Sequence, residues 1–457
     1  MQFLRNMLRD PENQIDDRLH MEIGAENVKE YAVNVKEMPA YRFVDLYRAI
    51  TTKLSKKNDV RTIESGNYED LNSLLHGERP NWGSRKITRS SRTAWVTAAE
   101  EEVFLPTDQY WIFTDDGTSG RNPIIVRLRY RQSDERAVLE VAALDSDTAE
   151  KSVGDFIEES LRISIYRNQM LTISFEAGTK DEYGDIEKVE QLRISFKVAS
   201  SVPKENFVVD EVVYKTLWRN VIDLHKRRAL LKKHGVPIRR GVLLYGPPGT
   251  GKTFACRYIC GELPDTTRII VAGTALNRVA QIFDLARTYQ PSIVILEDVD
   301  LVFAARDINL FSSALGDLLD QMDGLRPFED IGVILTTNSI NRMESAIKDR
   351  PGRISQCIYF GAPERAMREN YIAQYAKDYD YSAVQLEELV AMTKGTTPAF
   401  IKEWIHRTVQ IATERIQDDH SRVALTTEDF RAAFEEMKRF TDESSGRIIG
   451  FVGGGAR

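Results

Sequence analysis

Four groups of residues in this chain have types and spacings that could handle a phosphoryl group. The first is Gly246-Pro247-Pro248-Gly249-Thr250-Gly251-Lys252-Thr253, which follows the apolar run GVLLY at 241–245. Glycines at 246, 249 and 251 let the backbone curl until several N–H groups face one anion. The residues after the loop, Phe254, Ala255, Tyr258 and Ile259, repeat with helical spacing, so a helix N-terminus points its positive end at the same place. Lys252 can reach the outer phosphates of a nucleoside triphosphate, and the Thr253 hydroxyl can ligate Mg²⁺. Residues 246–253 with Phe254 are therefore the expected binding set.

The second group is the apolar run SIVIL at 292–296 followed by Glu297 and Asp298. A buried strand would deliver both carboxylates to its C-terminal end, where open α/β sheets bind ligands. One carboxylate is expected to hold Mg²⁺ and the other to polarise the attacking water. By position Glu297 serves the metal with Thr253, and Asp298 is the base. Asp is one methylene shorter than Glu, so the division of roles stays open. The third group is Ile334-Leu-Thr-Thr-Asn338, a strand ending in a side chain able to hold that water. The fourth is Arg350-Pro-Gly-Arg353, two arginines on a tight turn. They reach their own loop poorly and a neighbour's well, where they would stabilise charge on the transferring group.

These residues need a parallel sheet to position them. From Phe207 onward strand and helix patterns alternate, with strands expected at 241–245, 267–271, 292–296, 332–336 and 356–359. Residues 206–362 thus form a large nucleotide-binding subdomain, and 363–440, helical throughout, a lid over it. Upstream, strand-like runs at 111–113, 124–130, 137–142, 171–175 and 192–198 with a helix at 153–167 give an α+β middle domain over 96–205. Residues 1–95 are a partly helical region of unknown role, with one clear helix at 41–56. The polar stretch 77–92 suggests a linker or an exposed loop, and the glycine-rich 441–457 a flexible tail.

Bulk properties exclude several classes. The 457 residues carry 62 basic and 69 acidic side chains, a net charge of −7, which argues against a protein that coats nucleic acid. A local cluster of Arg227, Arg228, Lys232, Lys233, Arg239 and Arg240 reads as a solvated face beside the phosphate loop. Three cysteines, two of them four apart on a helix, build neither a disulfide framework nor a zinc site. No apolar run is long enough to span a membrane, and the first residues turn polar too early for a signal peptide. The expected setting is cytoplasmic.

Together the four groups closely resemble the AAA ATPase family, from about Asn206 to Phe440. The resemblance implies an AAA P-loop module with helices on both faces of its sheet and a helical lid. It also implies ATP and Mg²⁺ as ligands and a homo-oligomeric ring of about six or seven subunits that remodels or translocates a protein partner. The inverted Glu297-Asp298 order and the stretches 208–211 and 234–241 are similar to the branch that moves the folded Rieske protein across the mitochondrial inner membrane. That branch carries an N-terminal membrane helix, which this chain lacks, so no membrane role is implied. The stretch Ala272–Val279 lacks the aromatic pore residue usual in protein unfoldases, which points to a folded partner rather than a threaded one. Gly395–Phe400 occupies the family's nucleotide-sensing position without a sensing arginine, and Thr397–Phe400 is expected only to pack. Alternative readings are a nucleic-acid-linked motor and an ATP-controlled switch or assembly factor.

Overall fold

The structure, a computed structural model, describes residues 13–24, 27–77, 85–114, 122–176, 191–198, 202–238, 240–302, 308–324, 329–339, 354–415 and 423–442. The chain divides into two units: residues 1–167 with 175–196, and residues 168–174 with 197–457.

In the first unit, alternating apolar residues make one antiparallel sheet in the order β1-β7-β6-β5-β2. Its strands are β1 (Ala32–Pro39), β2 (Val60–Glu64), β5 (Asp108–Phe113), β6 (Ile124–Arg131) and β7 (Arg136–Ala143). A separate hairpin joins β3 (Arg92–Ala98) to β4 (Glu101–Pro106). Side chains alternate between the two faces, and both faces are covered. Trp111, Val126 and Leu139 pack with helices α2 (Arg42–Leu54) and α4 (Ser146–Arg162). Tyr110, Ile112 and Ile125 pack with α1 (Ile15–Ile23) and α3 (Leu71–His76).

This arrangement departs from the expected boundary at residue 95. Strand β1 pairs along its whole length with β7, from Ala32↔Ala143 to Pro39↔Arg136, so residues on both sides of 95 share one sheet. The stretch expected to be a linker or an exposed loop holds a buried residue: Arg85 is ion-paired to Asp16 at 3.1 Å and Glu69 at 2.5 Å. Helix α4 starts seven residues before the apolar periodicity suggests, because the Asp145 carboxylate caps it by accepting from the Thr148 N–H at 2.7 Å.

The second unit is built on parallel strands β10 (Arg240–Tyr245), β11 (Thr267–Val271), β12 (Ser292–Leu296), β13 (Ile331–Thr337) and β14 (Ile354–Tyr359). They lie in the order β14-β10-β13-β12-β11, followed by β8 (Met170–Glu176) beside β11, and β9 (Gln191–Lys197) ends the order. The run 171–175, expected in the middle domain, therefore serves this sheet instead. Arg268 on β11 fixes it, its N–H donating to Gln169 O at 2.9 Å and its guanidinium to Asn168 O at 2.5 Å. Strands β11, β12 and β13 are buried at every position, which is why they read as continuous apolar runs.

Helix α5 (Glu211–Leu217) and α6 (Lys252–Glu262) pack on one face through Leu217, Ala255 and Ile259, and α7 (Val279–Thr288) contacts β12. Helix α8 (Ile308–Asp323) precedes β13. Beyond β14 the described chain is helical: α9 (Arg365–Ala376), α10 (Leu386–Met392), α11 (Pro398–Thr413) and α12 (Thr427–Asp442). Trp404 is its fully buried centre, donating from the indole to Phe430 O at 2.8 Å.

Much of the basic cluster is spent locally. Arg227 pairs with Asp223 and Lys232 with Asp330, both at 2.7 Å, and Arg240 donates to Asn220 at 3.1 Å. Arg239 lies outside the described residues. Among the described residues no helix is long and apolar enough to cross a membrane.

Candidate active site

Parallel register brings the candidate residues together. Tyr245 is level with Thr337 and Leu296 with Leu335, so Gly246, Glu297 and Asn338 leave three neighbouring strands at one edge. Gly246 has φ +147°, and a Cβ there would lie 2.1 Å from Phe360 O. No L side chain adopts that backbone without displacing the chain after β14. Gly246→Ala is expected to abolish nucleotide binding and, with strain of about 1–3 kcal/mol, to lower the melting temperature. Nucleotide titration together with a thermal melt checks both.

Lys252 is 5 % exposed and sits at the centre of the loop it serves. Its ammonium donates to Gly246 O at 2.7 Å, Pro247 O at 2.9 Å and Asn338 Oδ1 at 2.8 Å. Burial lowers its pKa, while Asp298 and Asp300 pull the other way. Thr250 donates to Pro247 O at 2.8 Å and holds the turn. Gly246, Pro247 and Thr250 thus shape the loop, whereas Pro248, Gly249, Gly251, Lys252, Thr253 and Phe254 face a cavity of about 420 Å³.

The two carboxylates occupy different settings. Glu297 is half-buried beside the Thr253 hydroxyl; burial raises its pKa and that hydroxyl opposes the rise. Asp298 lies on the cavity wall with φ +48°, a left-handed conformation that Asp and Asn tolerate far better than Glu. Its N–H donates to Thr336 Oγ1 at 2.9 Å. Asn338 also lines the cavity, its amide donating to Asp298 Oδ1 at 3.4 Å while its own N–H donates to Asp300 Oδ1 at 3.1 Å. One asparagine therefore touches both the lysine and the shorter carboxylate. Arg350 and Arg353 lie outside the described residues.

The lid closes the far wall with residues that sequence reasoning did not single out: Tyr371, Gln374, Tyr375 and Lys402. The two tyrosines are one helical turn apart on α9 and stack at 5.9 Å, a spacing visible in the sequence. Their distance along the chain from the loop hid the connection. Thr397–Phe400 does more than pack. Thr397 caps α11 by accepting from Phe400 N–H at 3.3 Å, and Ala399 N–H donates to Gly249 O at 3.2 Å. A Cβ on Gly249 would meet Thr397 Oγ1 and Ala399 Cβ at 3.0 Å, so the lid presses directly on the loop.

Residues 242–362 match the family model described as the ATPase family associated with various cellular activities, AAA. The chain carries an AAA ATPase module. Among curated relatives, the proteasome-activating nucleotidase of Methanopyrus kandleri is 29 % identical over 309 residues, 64 % of this chain and 67 % of that one. A 26S proteasome regulatory subunit 8 homolog of Schizosaccharomyces pombe is 25 % identical over 408 residues, 85 % of this chain and 94 % of that one. The ATP-dependent zinc metalloprotease FtsH 2 of Thermoanaerobacter sp. is 29 % identical over 242 residues, and the match spans 46 % of its length. The AAA module binds nucleotide, and the enzyme is an ATPase.

Proposed function

We propose that this chain is a ring-forming ATPase that remodels or translocates a protein partner, hydrolysing ATP at sites shared between neighbouring subunits. The observation that carries the reading is the contact of Asn338 with both Lys252 and Asp298 at the edge of the sheet, under the lid. In this reading Lys252 offsets phosphate charge, Asp298 accepts a proton from the attacking water, and Asn338 orients that water. Thr253 and Glu297, a hydroxyl and a carboxylate that lie beside each other, are hard oxygen donors suited to Mg²⁺. The ion, when bound, neutralises charge on the triphosphate.

The segment after β11 supports a folded partner. Gly273–Arg278 forms a tight 3₁₀ turn with Ala275 and Leu276 turned inward, at 3 % and 4 % exposure, and it contains no aromatic residue to grip an extended chain. The same turn and the Glu297-Asp298 order support placement beside the folded-protein translocase branch, although the relatives reported above belong to other branches.

The trans role of Arg350 and Arg353 gives the test. ATP turnover is expected to rise with protein concentration as closed rings appear in electron micrographs. Arg353→Ala is expected to keep ATP binding and lose roughly 10³-fold in turnover. Mixing it with Lys252→Ala subunits should restore part of the rate, because each variant supplies what the other lacks. A concentration-independent rate from a monomer, or an inert mixture, would remove the shared-site reading.

A further inference from the structure

The first unit contains a second cavity, of about 520 Å³, walled entirely by its own residues. The loop after β2, the segment leading into β3, the start of β5 and the end of β6 meet there. Its single wall carboxylate, Asp108, is already committed: wholly buried Arg127 grips it from below through Nε at 2.9 Å and Nη2 at 2.7 Å. Arg131 on the rim is held by Asp134 at 2.5 Å and Glu37 at 2.9 Å.

What remains is an excess of donors. Arg89 is exposed and, among the described residues, makes no hydrogen bond or ion pair. Arg129 donates from Nη1 to Tyr68 O at 3.0 Å, but its buried Nε–H has no acceptor among the described residues. Ser90 is 5 % exposed, and among the same residues its hydroxyl has no partner. The neighbouring Ser91 and Thr107 hydroxyls, by contrast, satisfy each other at 2.8 Å. Buried donors without acceptors are costly, and two guanidinium groups with a hydroxyl are best matched by a charged, acceptor-rich oxygen group. Tyr68, fully exposed at the lip, offers a ring against which an adjoining chain could lie.

We propose that this cleft binds an anionic oxygen group, a carboxylate or a phosphoryl group, carried on a polypeptide partner. The inference deepens the reading above, on which it rests for the partner being a protein. The cleft belongs to the first unit and the phosphate loop to the second, so it recognises the partner and leaves ATP chemistry to the AAA module.

The test uses the full chain and fluorescence anisotropy with three labelled short peptides: oligoglutamate, a phosphoserine–glycine repeat, and oligoglutamine. At least one anionic peptide should bind, more weakly as salt rises, and whichever binds tighter identifies the source of the anion. Arg89→Glu, a surface change, should weaken that binding by about tenfold or more, and Ser90→Ala by a few-fold. Both variants should keep the wild-type rate of ATP hydrolysis in the absence of peptide. Binding no stronger than to oligoglutamine, or equal in wild type and Arg89→Glu, would overturn the proposal. So would an oligonucleotide that outcompetes both peptides with the same sensitivity to Arg89→Glu. Absence of ATP turnover in the wild type would instead strike the motor reading and leave the binding result standing.

Discussion

Asp298→Asn is expected to keep ATP bound and to lower turnover on the order of 10²–10⁴-fold, the usual contribution of a positioned general base. The fold should tolerate the change. Asn accepts the left-handed φ of +48°, and the backbone bond from residue 298 to Thr336 Oγ1 does not involve the altered atoms. The amide cannot take a proton from water, so the loss should fall on the chemical step and not on affinity. Glu297→Gln is the discriminating companion. It sits against the Thr253 hydroxyl, so its loss should raise the Mg²⁺ concentration needed for half-maximal activity. Phosphate release measured across a Mg²⁺ series separates the two. If Glu297→Gln removed turnover at saturating Mg²⁺ while Asp298→Asn merely shifted the Mg²⁺ requirement, the roles assigned here would be reversed.

Lys252→Ala is expected to bring turnover below detection and to weaken ATP binding by roughly 10- to 150-fold, corresponding to about 1.5–3 kcal/mol for a hydrogen bond to a charged group. The loss has two sources. The phosphates lose their buried cation, and the loop loses the donor that ties Gly246 O, Pro247 O and Asn338 together. Lys252→Met, which keeps most of the side-chain volume, separates charge from packing. Both variants should fail in a fluorescent-nucleotide titration while the methionine form melts near wild type. A binding constant within threefold of wild type in either variant would mean that nucleotide is held elsewhere.

The phosphate loop was legible because its chemistry is contiguous: strand, glycines, lysine and helix follow one another within about twenty residues. Asn338 was legible by register alone, as the polar residue that ends an apolar strand. The lid residues were not, since Tyr371 and Lys402 reach the cavity only after more than a hundred residues of intervening fold. The setting of Arg127 was not legible either. Nothing within IIVRLRY marks it as a core residue, yet it is completely buried. Its partners come from neighbouring strands, Glu140 directly opposite it and Asp108 two places from its other partner, and no local pattern announces that pairing. Membership of β1 in the first sheet escaped for the same reason: the pairing with β7 spans about a hundred residues.

Strand β8 bears on how the enzyme could be dissected. A fragment beginning at Lys197 would retain the loop, strands β10 to β14 and the lid, and would look like a complete motor on paper. It would also leave the outer side of β11 as a bare row of N–H and C=O groups over Arg268–Val271, where β8 now lies. An uncovered apolar edge strand invites another chain to pair with it. Such a fragment would tend toward aggregation for a reason unconnected with its catalytic residues. The cut that keeps the edge protected falls before Asn168, so the smallest well-behaved motor includes sequence that precedes its apparent start.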